Sequence, residues 1–214
     1  REKVIEDALN AGMGGEDVRL RDGGSGAVAY GDAIATYLSF VIDKCADHWS
    51  TVCGWHTNNA QIRFTFARQA IPMTWDFVEA NPFSGKMASW RSMLDGVSKA
   101  LRVLPVAQGG TVLQRDAKSV VGDFASVAVC TDPPYYDNIH YADLSDYFFV
   151  WLRRNLRDVW PDECATLTTP KTDEMIAHTY RSGSRDAARA HFEGGMAEFF
   201  DSVAKHQAVG VPAT

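Results

Sequence analysis

The feature that most narrows what this chain can fold into is a short apolar run. Phe124 to Cys130, rich in valine, passes directly into Thr131-Asp132-Pro133-Pro134-Tyr135. A run of this length suits a strand buried on both faces of a parallel sheet. The two prolines hold φ at about −65° and remove two backbone donors in succession. The carbonyl between them is therefore rigid and free to accept a hydrogen bond. Asp132 would stand at the carboxyl end of the strand, where open α/β sheets bind their ligands. A carboxylate, a fixed carbonyl and an aromatic face together suit a planar ring bearing an exocyclic amine. The two oxygens accept from the NH₂ group, and Tyr135 stacks on the ring. The competing reading is a proline turn that does no more than end a strand.

The rest of the chain reads as mostly helical. A short helix is expected over residues 1–12, with Val4, Ile5, Ala8 and Leu9 at helical spacing. The glycines between Gly12 and Gly26 follow with no apolar strand before them, so Gly23-Gly24-Ser25-Gly26 reads as a flexible connector rather than a phosphate cradle. Residues 32–49 carry Ile34, Tyr37, Leu38, Val41, Ile42 and Cys45 on one stripe, with Asp32 as the expected N-cap. The spacing of Ile62, Phe66 and Ala70 predicts a second helix over 59–75, ended or kinked by Pro72. A third is expected from Ser89, its N-cap, to Leu104, stopped by Pro105. Thr111-Val112-Leu113, after Gly109-Gly110, is a short β-prone stretch. Helices are then expected over 144–156 and from Ala187 to about Lys205. Asn81-Pro82-Phe83 reads as a capped turn.

These elements divide the chain into a helical lobe, 1–105, and a partial domain, 106–214, that carries the tetrapeptide. No strand is evident after Tyr135, so a parallel sheet is left incomplete and the chain reads as an excised piece. The fold class is α/β. The chain has 21 basic and 27 acidic residues among 214, a net charge of −6, so any nucleic-acid contact rests on a local patch rather than bulk charge. Four cysteines without a C-x-x-C pair fit reduced thiols in a cytoplasmic protein. No apolar run approaches the length of a membrane span, and no signal peptide is evident.

Thr131-Asp132-Pro133-Pro134-Tyr135-Tyr136-Asp137-Asn138-Ile139 is followed by Tyr141-Ala142-Asp143-Leu144-Ser145-Asp146 and Val150-Trp151-Leu152-Arg153-Arg154. The tetrapeptide resembles the DPPY signature of S-adenosylmethionine-dependent amino-methyltransferases acting on DNA. The longer stretch resembles a large prokaryotic family of adenine-specific DNA methylases with a zinc ribbon. Phe66-Ala67-Arg68-Gln69-Ala70, Trp75-Asp76-Phe77 and Asn81-Pro82-Phe83 share that likeness, which spans most of residues 30–200.

The resemblance implies a Rossmann-like methyltransferase sheet and methyl transfer to a flipped adenine N6. It implies that Asp132 accepts from the amine, that Pro133 supplies the fixed carbonyl, that Pro134 shapes the loop and that Tyr135 stacks on the base. Asp116, in Gln114-Arg115-Asp116-Ala117, would lie near the cofactor, although Arg115 stands where the family has glycine; a helix N-cap is the other role for Asp116. Arg153, Arg154 and Arg157 would contact DNA phosphates, or else form a solvated helix face. The family's main glycine motif for S-adenosylmethionine has no counterpart here, so this chain is not expected to bind the cofactor alone and would rely on other segments of a longer protein. Cytosine N4, RNA or a protein amide are alternative targets, and a non-catalytic nucleic-acid-binding module is the alternative to an enzyme. Cys45-x-x-His48 and Cys53-x-x-His56 carry zinc-type ligands, but four residues separate the pairs and Cys45 falls on an apolar stripe. No metal site is expected there.

Overall fold

Most of the expected helices form, and two of them, beginning after Ser89 and Ser184, start at a capping side chain. A computed structural model of the chain describes residues 1–104, 110–124 and 126–214. In order, the elements are α1 (Glu2–Asn10), α2 (Ala27–Trp49), β1 (Trp55–His56), β2 (Gln61–Ile62), α3 (Trp90–Val103), α4 (Ala117–Val120), α5 (Tyr141–Leu156), α6 (Thr179–Ser182) and α7 (Arg185–His206). β1 and β2 pair antiparallel, Trp55 opposite Ile62, and among the described residues they form the only sheet. The fold is mixed and largely helical. No helix among the described residues is long and apolar enough to cross a membrane.

The chain divides into two compact units. One comprises Arg1–Val106 with Leu144–Thr169, the other Ala107–Asp143 with Pro170–Thr214. In the first, α2 packs against α1 and α3. Val41 and Cys45 of α2 join Met93 of α3 and Ala88, flanked by Trp49, Trp90 and Val97. Leu156, Val159 and Cys164 form a further apolar cluster with Ala35, and the Trp160 indole donates to Thr36 Oγ1 at 2.9 Å. In the second, α7 supplies Phe199 and Val203, which pack with Val121, Val127 and Val129.

Several expectations are corrected here. Asp32 does not cap α2, which begins five residues earlier. Its carboxylate is fully buried and accepts from Arg1 Nε at 2.6 Å, Arg19 Nε at 2.7 Å and the Leu20 N–H at 3.2 Å. Three donors, two of them cationic, offset the cost of removing the charge from water. The glycine-rich connector is not loose. Ala27 donates to the Gly14 carbonyl at 2.9 Å and Gly24 to that of Arg19 at 3.0 Å. At Gly24 a Cβ would run into the Val18 carbonyl.

The helix expected over 59–75 is absent: β2 occupies its start and turns follow. Thr65 is fully buried and bonds to the Asp47 carbonyl at 2.8 Å and the Ser50 hydroxyl at 2.7 Å. That anchoring overrides the weak apolar period. Thr111-Val112-Leu113 forms no strand, and Val112 is 96% exposed. Among the described residues of 124–130, one isolated parallel bridge, Val127 to Gln207, stands in place of the buried strand. Ser89 caps α3 as expected, accepting from the Ser92 N–H at 3.3 Å. Asn81 Oδ1 accepts from the Phe83 N–H at 2.9 Å, the capped turn read from the sequence. Pro105, Gly109 and Ala125, and with them the expected boundary at 105/106, lie outside the described residues.

Candidate active site

The tetrapeptide is positioned by the segment before it. Val127 donates to the His206 carbonyl at 3.2 Å and its own carbonyl accepts from Ala208 at 2.8 Å. Further along, Thr214 donates to the Val129 carbonyl at 3.0 Å and Thr131 to that of Thr214 at 2.8 Å. Each pair of bonds brackets one residue in the parallel manner, Val127 with Gln207 and Cys130 with Thr214. Three residues separate them on one side and seven on the other, so they are two local contacts with the stretch after α7 and not a continuous ladder. Val127 and Val129 face Phe199 and Val203 of that helix. Ala128 and Cys130, on the other face, are exposed, so the segment is buried on one face and not on both.

Asp132 and Tyr135 come together. The Tyr135 hydroxyl donates to Asp132 Oδ1 at 2.8 Å; that bond and the carboxylate's charge push the phenol above its ordinary range. Tyr135 is 50% exposed, so its ring lies open beside the carboxylate. Among the described residues nothing donates to the Pro133 carbonyl. The Tyr135 carbonyl closes a turn by accepting from Asn138 at 3.2 Å. Tyr136 holds a left-handed backbone, φ 60°, which costs a non-glycine residue about 1–2 kcal/mol. Two contacts offset that strain. The Tyr136 carbonyl accepts from Ala177 at 3.0 Å, and its ring meets Phe192 edge-on at 5.1 Å.

Asp116 and Pro134 line one cavity of about 490 Å³, together with Arg115, Tyr141, Glu174 and Ile176. Asp116 also caps α4, its Oδ1 accepting from the Lys118 N–H at 3.0 Å, and Lys118 Nζ lies 3.5 Å from the other oxygen. Of its two expected roles, the N-cap is the one the geometry shows.

The arginines belong to the first unit. Arg153 is half-buried, with Nε enclosed and without a hydrogen-bond partner among the described residues. Arg154 is exposed, and Arg157 lies beyond the end of α5, 3.7 Å from Asp158. Cys45 and Cys53 are buried, and the Cys53 thiol donates to the Asp47 carbonyl at 3.3 Å.

Sequence reasoning missed a cluster just beyond the tetrapeptide. His140, Asp143 and His178 bring ligating atoms within 4.8 Å of one another. The His140 and His178 ring centres lie 4.2 Å apart with the planes tilted by 39°, and Arg181 bridges Asp143 at 2.6 Å and Glu174 at 2.5 Å. The available signal was His140 and Asp143 at helical spacing; nothing in the order of residues points to His178. Comparison with protein-family models, curated proteins and solved structures finds no match for this chain.

Proposed function

We propose that this chain carries the amine-holding part of an S-adenosylmethionine-dependent DNA methyltransferase acting on adenine N6. The observation that carries the reading is the Asp132–Tyr135 pair beside the unpaired Pro133 carbonyl, at the end of an extended segment. One hydrogen of an exocyclic amine goes to the Asp132 carboxylate and the other to the Pro133 carbonyl. The amine lone pair is delocalised into its ring. Two acceptors favour a more tetrahedral nitrogen and offset the positive charge that develops on it. With Oδ1 held by the Tyr135 hydroxyl, Oδ2 is the oxygen left for the substrate, and the exposed Tyr135 ring offers a stacking face. A base within a duplex cannot reach such a site, so it must be flipped out.

The isolated parallel bridge of Val127 to Gln207, just after α7, is the one feature of this region that supports a Rossmann-like reading. The described residues do not fit the methyl donor. The glycine-rich segment 12–26 follows α1 rather than a strand, so it lacks the strand–loop–helix form in which glycine loops hold a nucleotide-type cofactor, and the Asp116 carboxylate already accepts from the Lys118 N–H. The test is methylome sequencing of cells expressing the gene product that contains this chain, against cells expressing Asp132→Ala. N6-methyladenine should appear with the first and fall about 10²–10³-fold in rate with the second. Equal methylation by both makes the tetrapeptide a structural turn, and methylation at cytosine N4 alone transfers the same geometry to that base.

A further inference from the structure

We infer that His140, Asp143 and His178 bind a divalent transition-metal ion of the zinc or cobalt class. The ion would tie the loop after the tetrapeptide to the segment that leads into α6. His140 immediately precedes α5, Asp143 lies in its first turn, and His178 immediately precedes α6. Their ligating atoms already lie within 4.8 Å of one another, and His178 Nε2 is 3.7 Å from Asp143 Oδ2. Ligands about 2.0–2.2 Å from a common tetrahedral ion sit about 3.5 Å apart, so closure asks for shifts below an ångström at each. His140 and His178 are half-buried and Asp143 is exposed, which gives an ion a way in.

The ligand types, rather than the net charge, choose a cation: Asp143 and Glu174 are offset by Arg181 and by Lys171, which lines one cavity with Glu174 and Arg181. Arg181 Nη2 holds Asp143 Oδ2, the oxygen that also faces His178, so an ion shares that oxygen with Arg181 or takes Oδ1. Glu174 Oε1 accepts from the Ala142 N–H at 2.8 Å, an outer contact of the kind that orients a ligand-bearing segment. Two imidazoles and one carboxylate select a borderline ion; magnesium and calcium prefer all-oxygen sets. Three protein ligands leave a fourth position for water. His178 Nδ1 takes the Arg181 N–H at 3.3 Å, which puts the neutral ring's proton on Nε2. Metal binding moves that proton to Nδ1 and gives up this long cap, a small loss beside a metal–nitrogen bond.

The experiment is calorimetric titration of the chelator-treated chain with Zn²⁺ alone, with Co²⁺ as a spectroscopic stand-in and Mg²⁺ as a third arm. One Zn²⁺ per chain is expected, with a tetrahedral Co²⁺ spectrum free of thiolate bands and no heat from Mg²⁺. His140→Ala and Asp143→Asn should each weaken Zn²⁺ binding tenfold or more. Zn²⁺ should raise the melting temperature of the wild type and leave that of His140→Ala unchanged. Melts of the metal-free variants establish folding, and His140→Gln serves if His140→Ala does not fold. Absence of Zn²⁺ binding by the wild type overturns the inference. So does binding that survives His140→Ala and disappears in Cys45→Ser/Cys53→Ser.

Discussion

Asp43 lies on α2 with Oδ1 enclosed and without a hydrogen-bond partner among the described residues. Burial pushes its carboxyl from the ordinary 3.8 up to about 7. A shift of that size costs the folded state about 4 kcal/mol once the group is fully ionised, at about 1.4 kcal/mol per pKa unit. The residue is half-buried rather than sealed, so water screens part of the charge and about 2 kcal/mol is the working figure. The sign follows from which form the fold prefers. The protonated acid is favoured, so its contribution is intact below the unfolded pKa and is lost as pH rises through the folded value near 7. Asp43→Asn removes the charge and keeps the shape. It should stabilise the protein by about 2 kcal/mol at pH about 8.5 and by less than half of that at pH about 5. That difference corresponds to several degrees in melting temperature at the higher pH. Urea unfolding followed by circular dichroism at both values measures it. An equal gain at the two pH values would falsify the argument, because removal of a titrating charge cannot act independently of pH.

Asp32 should behave with the opposite sign. Burial raises its carboxyl, but the bonds from Arg19 and Arg1 outweigh that and hold it below the ordinary range. Its contribution is present above the unfolded pKa and lost as pH falls through the depressed value. Asp32→Ala should cost about 3 kcal/mol, the low end for breaking a buried ion pair, because Arg1 and Arg19 are 30% and 28% exposed and regain water. An unchanged unfolding midpoint contradicts this. At the candidate site, Tyr135→Phe should retain most methyl transfer, losing the grip on Asp132 Oδ1 but not the ring. Tyr135→Ala should lose stacking worth about 1–3 kcal/mol; labelled methyl transfer by the full gene product separates them, and equal losses argue against stacking. Calorimetry of this chain with S-adenosylmethionine should show no appreciable binding, and a micromolar dissociation constant would reveal a cofactor loop missed here.

Local order along the chain was enough for the elements whose stability is local. α3 carries its apolar stripe and its Ser89 cap within fifteen residues, and α5 and α7 likewise announce themselves by spacing. A helix closes its hydrogen bonds within its own segment, so nearby residues suffice to specify it. The tetrapeptide was legible for a similar reason. Two consecutive prolines constrain the backbone wherever they occur, and Asp132 and Tyr135 stand three positions apart.

Contacts between distant segments settled the rest. Thr65 draws 59–75 out of helix by bonding to the end of α2, and Asp32 becomes an ion-pair centre because Arg1 and Arg19 fold back onto it. The run at 127–131 finds its two parallel contacts more than seventy residues later, after α7. His178 meets His140 and Asp143 across thirty-five or more positions. A strand or a metal-type cluster has half of its partners elsewhere in the chain. Residue spacing can mark a candidate for such a feature, but folding must bring the two halves within bonding distance.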